Sequence, residues 1–452
     1  MKKTTFIILI QVMSFFPFAL VSEPFIYAPH ATTDVKKMKI DKLGITVVTG
    51  NRFPSGTQPI NKHMVIYNLD YSRSLNWLTE DDIQATVIDT IITSDAVFIL
   101  HTVDGEAFET EISKFNKADG SLVWRKGIND QPGKGKILAI NENTNMIAVA
   151  GEHDNAIQVW WYDTDGSFQS HWSKDLSPFI NIFDRGRESI TTLHLLDDNS
   201  VISSSIMQAE NIIRVIRTNM TGEKLFDYSH QGQGTIQLDI ARTMALLVLP
   251  NDKFAFTYID ENLHGVPRFV QFALSADGQE LFSKHSDDNV FWGISYAGNI
   301  LGANGNILNI WNTNGNQYLD LQIFHTDING IDSQQYSYTY SGKGSFLGVR
   351  QVALTSHGGL FMVATRKDPF PELGSSTLYL QWTADGQLCN QTEIVYTDFY
   401  PFLQLYNQSI YELRYKSSSN GGVNSIELHV IMHPQIVACL SDIIFFSGFD
   451  SP

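Results

Sequence analysis

Residues 188–228 read ESITTLHLLDDNSVISSSIMQAENIIRVIRTNMTGEKLFDY. ITTLHLL makes one strand and DDNS a turn. VISSSIM makes a second strand and IIRVIRT a third. Thr221-Gly222 then turns the chain into EKLFDYS, the fourth. β-Branched and aromatic residues favour extended backbone, and Gly accepts the positive φ that a tight hairpin demands. The same grammar recurs at 134–174 (KILAI, MIAVAG, IQVWWYD, SFQSHW), at 240–284 and at 347–396.

A period runs through the chain. Ala-Asp-Gly stands at Ala118–Gly120, Ala276–Gly278 and Ala384–Gly386, each time between strand-like runs. Asp165-Gly166, Thr221-Gly222 and Asn314-Gly315 fit the same hairpin position, and Tyr71–Leu75 is a degenerate copy before Trp77. Gly120 to Gly278 spans 158 residues and Gly278 to Gly386 spans 108, so the unit is about 53 residues. No extended 3.6-residue periodicity competes. Four short strands per unit at a fixed period predict an all-β chain, a β-propeller of about eight four-stranded blades, with seven as the alternative. Residues 23–452 form the one domain, with an insertion expected at 326–346. One end must lend a strand to close the ring, and Ile443–Phe446 is the candidate.

Residues 1–22 read as a signal peptide. Lys2 and Lys3 precede an apolar run from Phe6 to Phe16, Pro17 breaks it, and Ser22 is a small residue before Glu23. The run is shorter than the ~20 residues that span a bilayer, so no membrane insertion of the mature chain is expected. The chain is expected to be exported, periplasmic or secreted. The net charge is −17, and about −19 without the two lysines. Such a surface repels phosphate backbones, which argues against nucleic acid. Cys389 and Cys439 are the two cysteines, and an exported chain favours one disulfide between them. It would close a loop of about 50 residues, worth ~4 kcal/mol by chain entropy.

Two resemblances follow from quoted residues. KHSDDNVFWGISYAGNILGANGNILNIWNTNG (284–315) resembles a WD-type propeller repeat. His285 takes the place of that family's Gly-His histidine, with Lys284 for Gly, and Trp311-Asn312 stands for Trp-Asp. AIQVWWYDTDG (156–166) is similar. NKADGSLVW (116–124) resembles the quinoprotein-like repeat that ends Gly-x-x-x-Trp, matched by Gly120 and Trp124, with Phe226 and Phe282 in the Trp position of two other copies. Both resemblances imply a propeller and assign no function, because propellers host many.

Chemistry-bearing motifs are sparse. Asp163 and Asp165 share one turn and make calcium the one candidate ion; two carboxylates fall short of its six to eight oxygens, and no cofactor is predicted. His429 and His433 on a strand would sit ~13 Å apart, too far for one metal. Glu152, His153 and Asp154 form a polar cluster just past the strand MIAVAG. Neither a nucleophile elbow nor a phosphate loop is present: Gly293 to Gly298 is one residue too long, and Gly133-Lys-Gly135-Lys136 lacks the spacing. The candidate binding residues are Tyr336, Tyr338 and Tyr340, which alternate within 326–346, and Phe370 within 367–376. Alternating Tyr rows suit sugars or proteins. The expected function is non-enzymatic binding of a protein or glycan. The alternative is an enzyme with its site on the propeller axis, either a quinoprotein-like oxidoreductase or a polysaccharide-active enzyme. A pure assembly scaffold is the third reading.

Overall fold

The structure is a computed structural model. It describes residues 25–431 except 28–31, 42–44, 54–62, 70–74, 104–109, 129–133, 154–155, 175–187, 208–209, 233–244, 262–266, 286–293, 302–305, 315–318, 341–345, 355–358, 368–374, 384, 397–401, 407–408 and 418–422. The signal-like segment 1–22, Phe370, His433, Cys439 and the tail Ile443–Phe446 lie outside the described residues.

Every described element but single turns is a β-strand. β1 is Phe25–Tyr27. Blade 1 is β2 (Thr32–Ile40), β3 (Thr46–Phe53), β4 (His63–Leu69) and the first half of β5 (Leu75–Ile92). The second half of β5 opens blade 2, with β6 (Ala96–Val103), β7 (Thr110–Asn116) and β8 (Leu122–Gly127). Blade 3 is β9 (Lys134–Asn141), β10 (Met146–His153), β11 (Ala156–Asp163) and β12 (Phe168–Lys174). Blade 4 is β13 (Glu188–Leu195), β14 (Val201–Met207), β15 (Ile212–Thr218) and β16 (Lys224–Gln231). Blade 5 is β17 (Ala245–Leu249), β18 (Lys253–Glu261), β19 (Pro267–Leu274) and β20 (Glu280–His285). Blade 6 is β21 (Ile294–Leu301), β22 (Ile307–Asn314), β23 (Leu319–Thr326) and β24 (Asp332–Tyr340). Blade 7 is β25 (Phe346–Leu354), β26 (Leu360–Lys367), β27 (Ser375–Trp382) and β28 (Leu388–Tyr396). Blade 8 is β29 (Phe402–Tyr406), β30 (Ser409–Ser417) and β31 (Val423–Ile431).

Five blades are separate four-stranded sheets. Ten of the eleven remaining strands form one path, with β1 off it against β31; it divides into three more blades between β31 and β2, which share the single pair Thr33–Val423, and where β5 passes from β4 to β6 at Gln84/Ala85. All pairings are antiparallel, and eight four-stranded blades result. Blade 8 takes its fourth strand from the other end of the chain: β1 pairs with β31, Phe25 opposite Leu428. The closing strand is therefore N-terminal. The inner strands follow one another round the ring, with β2 against β5, β5 against β9, β9 against β13, β17 against β21, β21 against β25, β25 against β29, and β29 against β2. Blades 4 and 5 join through a shared apolar cluster that includes Ile213, Val215, Phe254 and Phe272.

The core lies between blades rather than within them. On β6, Val97 and Ile99 pack toward Val47 and Ile66 of blade 1. Ala96, Phe98 and Leu100 pack toward Leu138, Val149 and Trp160 of blade 3. Both faces are dry, so second strands read as unbroken apolar runs instead of alternating ones. Each fully buried aliphatic or Phe side chain contributes about 1.5–3 kcal/mol.

The turn between the third and fourth strands is the recurring local motif. Gly120, Gly166, Gly222, Gly278, Gly330 and Gly386 all sit there with φ between +75° and +89°. The first turn residue caps the motif: Asp163, Asn219 and Asp327 each accept the amide two or more residues past the apex, Ser167, Glu223 and Ile331 respectively, at 2.8 Å. Gly330 corrects the repeat reading. Asn314-Gly315 lies at the connection between the second and third strands of blade 6, and Asp327–Gly330 is the true hairpin. The expected insertion 326–346 therefore supplies that turn and the outer strand of the blade, β24.

In blades 1 to 3 an outer-strand side chain donates to the next blade's turn. The Trp77 indole donates to the Lys117 carbonyl at 2.7 Å, and Trp124 donates to Thr164 O at 3.2 Å. The Ser170 hydroxyl does the same to Met220 O. Phe226 has no donor, and the Arg217 guanidinium of its own blade takes over, donating to Ala276 O at 3.1 Å. At Gly278 an added Cβ would meet Phe226 Cγ at 2.5 Å. Gly278→Ala combines that clash with a left-handed φ of +84°. It is expected to lower stability by about 1–3 kcal/mol. Gly127→Ala, where an added Cβ meets nothing within 4 Å, should change it by less than about 0.5 kcal/mol. Urea midpoints of the two variants check this, and equal losses would remove the latch from the account of stability.

Candidate functional site

The two faces of the ring differ. Connections between first and second strands, and between third and fourth, are uniformly two to five residues long. On the opposite face the connections vary from two residues (154–155) to thirteen (175–187 and 232–244). Variable loops on a rigid frame are where recognition is built.

The turn face carries an apolar rim. Among the described residues, seven of the eight exposed large hydrophobic ones lie one to three positions after the six hairpin glycines: Leu122, Val123, Phe168, Leu225, Leu281, Ile331 and Leu388. Val123 is 54% exposed and Ile331 64%. They occupy the outer strands of six consecutive blades or, for Ile331, the turn just before one. Exposed carboxylates stand beside them at the turns. Hydrogen bonds from the Ser121 hydroxyl and amide hold Asp119 below the usual carboxylate range. The Ser275 hydroxyl does so for Asp277. The rim thus alternates ionised Asp with aliphatic or aromatic side chains. Sequence reasoning passed over these residues, although an apolar residue soon after each hairpin glycine was the available signal.

The axis is lined by the inner strands, and six of them carry a bulge. The extra residues are Lys36, Ile88, Lys136, Thr191, Ser295 and Arg350. Asp89 is the local hub. Its carboxylate accepts the Leu138 amide of blade 3 at 3.2 Å and lies 3.4 Å from the Lys37 ammonium of blade 1. Three inner strands are tied together there.

Among the described residues, a Ser–His pair sits within blade 2. Ser113 Oγ and His101 Nε2 are 2.8 Å apart, and a Glu111 oxygen lies 3.9 Å from the same nitrogen. Both His101 and Ser113 are fully buried. A nucleophile needs access to substrate, and a triad places its carboxylate on the other ring nitrogen. The pair is a packing element. Burial pushes the His101 pKa down to about 4.

The sequence candidates fall as follows. Tyr336, Tyr338 and Tyr340 are on β24, in register with Ile323, Leu321 and Leu319 of β23. Phe370 is outside the described residues. Asp163 and Asp165 are engaged by their own turn, accepting the Ser167 amide at 2.8 and 3.0 Å. Glu152 and His153 are the last two residues of β10, paired with Ile157 and Ala156, rather than a loop past it. His429 lies on β31 opposite Glu412. Among the described residues no three His, Cys, Asp or Glu side chains converge as metal ligands. Cys389 is on β28 and is disulfide-bonded.

No family model matches the chain, and no curated protein matches it in sequence. Solved structures do. The Dos1 propeller aligns with a TM-score of 0.53 at 11% identity, over 90% of this chain and 94% of that one. A quinohemoprotein alcohol dehydrogenase from Comamonas testosteroni aligns at 0.53 and 9% identity, over 90% and 76%. A europium-containing methanol dehydrogenase aligns at 0.51 and 9% identity, over 90% and 93%. At these identities the likeness shows the fold alone, and that fold is the β-propeller.

The depressed His101 pKa has a direction in stability. Its neutral form is favoured in the fold, so its contribution is complete above pH 6.5, the ordinary value. Between pH 6.5 and 4 the unfolded chain takes up a proton that the folded chain refuses, and stability falls. The loss from this residue is on the order of 3 kcal/mol. His194, His230 and His325 are shifted the same way by burial and add to it. Urea midpoints at pH 7 and pH 4.5 should show His101→Asn losing less stability on acidification than the wild type. An unchanged difference would exclude His101 as a source.

Proposed function

We propose that this chain is an exported, non-enzymatic propeller whose partner is a protein with a basic, apolar surface. The observation that supports this most is the rim of Leu122, Val123, Phe168, Leu225, Leu281, Ile331 and Leu388 beside exposed Asp119, Asp165, Asp277 and Asp385. Soluble surfaces seldom repeat an exposed large hydrophobe at equivalent positions round a ring, and such patches mark interaction sites. The net charge of −17 adds long-range attraction for a cationic partner and repels acidic ones. Export rests on the signal-like residues 1–22. The glycan reading rests on the Tyr row of β24, and the enzyme reading draws on the resemblance of Gly120 and Trp124 to quinoprotein-like repeats.

A defined probe separates these readings. A peptide alternating Lys and Leu should bind the full chain more tightly than one alternating Glu and Leu, with affinity falling as salt rises. Val123→Ser, Phe168→Ser and Leu225→Ser together should weaken it at least fivefold without shifting the melting temperature by more than a few degrees. Equal binding of both peptides, or no loss in the triple variant, would overturn the rim as the docking surface. A rise in melting temperature with pyrroloquinoline quinone, and none with peptide, would move the function to the axis. A rise with a neutral glycan alone would move it to the loops or to β24.

A further inference from the structure

The turn face of blades 2 to 5 is acidic at two radii. Nearer the axis are the turns between first and second strands, at 93–95, 142–145, 196–200 and 250–252. They expose Asp95, Glu142, Asp197, Asp198 and Asp252 and hold no Lys, Arg or His. Farther out are the turns between third and fourth strands, at 117–121, 164–167, 219–223 and 275–279. These expose Asp119, Asp165, Glu223 and Asp277, and their one base, Lys117, is buried against Asp41. One more residue on each side of every turn adds Asp163 and Glu280 against Lys224 and Lys253. Lys114 and Arg217 reach in from third strands, and the face stays net negative.

Hydrogen bonds join the inner turns into one track. Glu142 of blade 3 accepts the Ser94 amide of blade 2 at 3.0 Å. Asn141 and Asn143 of blade 3 donate to Asp197 of blade 4 at 2.8 and 3.2 Å. Arg217 donates to Asp198 of blade 4 at 2.9 Å and to Asp252 of blade 5 at 3.3 Å, and it offsets one charge of the five. The outer turns are joined by the seats of Trp124, Ser170 and Phe226. The two tracks differ in apolar character. Leu122, Val123, Phe168, Leu225 and Leu281 all follow outer turns, whereas Leu196, the one aliphatic residue of the inner turns, is buried. Within a blade the two turns are two strand spacings apart, about 10 Å.

That separation bears on the form of the partner. An extended segment turns successive side chains to opposite faces, so an alternating one offers the surface either its apolar or its basic residues. An α-helix is about 10–12 Å across, carries an apolar stripe some 100° wide and can flank it with basic residues. We infer that what docks on this face is a cationic amphipathic α-helix, its apolar stripe on Leu122, Phe168, Leu225 and Leu281 and its Lys or Arg residues over the inner turns. This rests on the reading of the rim as a docking surface, and adds the form of the partner and a second line of contacts. Packed sheets stand about 10 Å apart, so about 15 residues of helix, roughly 22 Å, lie across two or three of the four blades at a time.

Two labelled peptides of identical Lys and Leu content test this against the full chain, one with Leu at i, i+3, i+4 and i+7 and one strictly alternating. Fluorescence anisotropy reads affinity, and circular dichroism reads helix gained on binding. The helical pattern should bind at least about fivefold more tightly than the alternating one and gain helicity. Glu142→Gln, Asp197→Asn and Asp252→Asn remove charge but keep an oxygen acceptor at each position. Together they should weaken the helical peptide about fivefold at low salt and much less at high salt. Glu210→Gln, an exposed acid on the opposite face, should leave affinity unchanged. If the triple variant fails to fold, Glu142→Gln alone should still cost two- to threefold. Equal affinity for the two patterns, or no gain of helicity, would overturn the helix and leave the rim standing. Unchanged affinity in the inner-turn variants would overturn the second line of contacts. Binding of neither peptide would overturn the rim itself.

Discussion

The contact on which the ring depends is the seat of one blade's outer strand on the hairpin turn of the next. Trp77 against Gly120, Trp124 against Gly166, Phe226 against Gly278 and Phe282 against Gly330 are four copies of it. Each needs a turn residue without a Cβ and with positive φ, and each sets the angle at which successive blades pack. The contact links neighbours only, as repeat architectures require. Where the aromatic loses its N–H, another donor takes the same carbonyl. Ser170 and Arg217 do so for Met220 and Ala276. The turn geometry is thus kept more strictly than the residue that docks on it.

That tolerance explains how far the fold was legible. Ala-Asp-Gly and its variants marked the hairpins, because only Gly is at ease at such φ values. The count of about eight units followed from the period. Gly330 was passed over because Asn314-Gly315 offered a plausible turn fifteen residues too early, and the 52 residues from Gly278 to Gly330 are the truer spacing. The Tyr row then looked like surplus chain when it was a fourth strand. Closure was the other miss. Phe25–Tyr27 is three residues long, too short for any periodicity, and its place is fixed only by the free edge of β31.

The site was less legible for a different reason. In a propeller, chemistry assembles from residues some fifty positions apart, one per blade, and no local motif records them. The bulges of six inner strands become a set only when the register of each strand pair is known. The rim is the opposite case. Its members follow the hairpin glycines directly, and periodic reading could have found them, but exposure is a property of the folded outer strand and the apolar letters looked like core.

The same topology separates inner strands, which see the axis and two neighbouring blades, from outer strands, which see solvent along one edge. An apolar residue at the start of an outer strand, such as Leu122, Phe168, Leu225 or Leu281, has no neighbouring blade over it and is exposed unless another molecule covers it. Because the blades are joined by the Gly–aromatic seats, a partner resting on the rim across successive blades would stiffen the ring that presents it, and each seat it reinforced would in turn favour the bound partner.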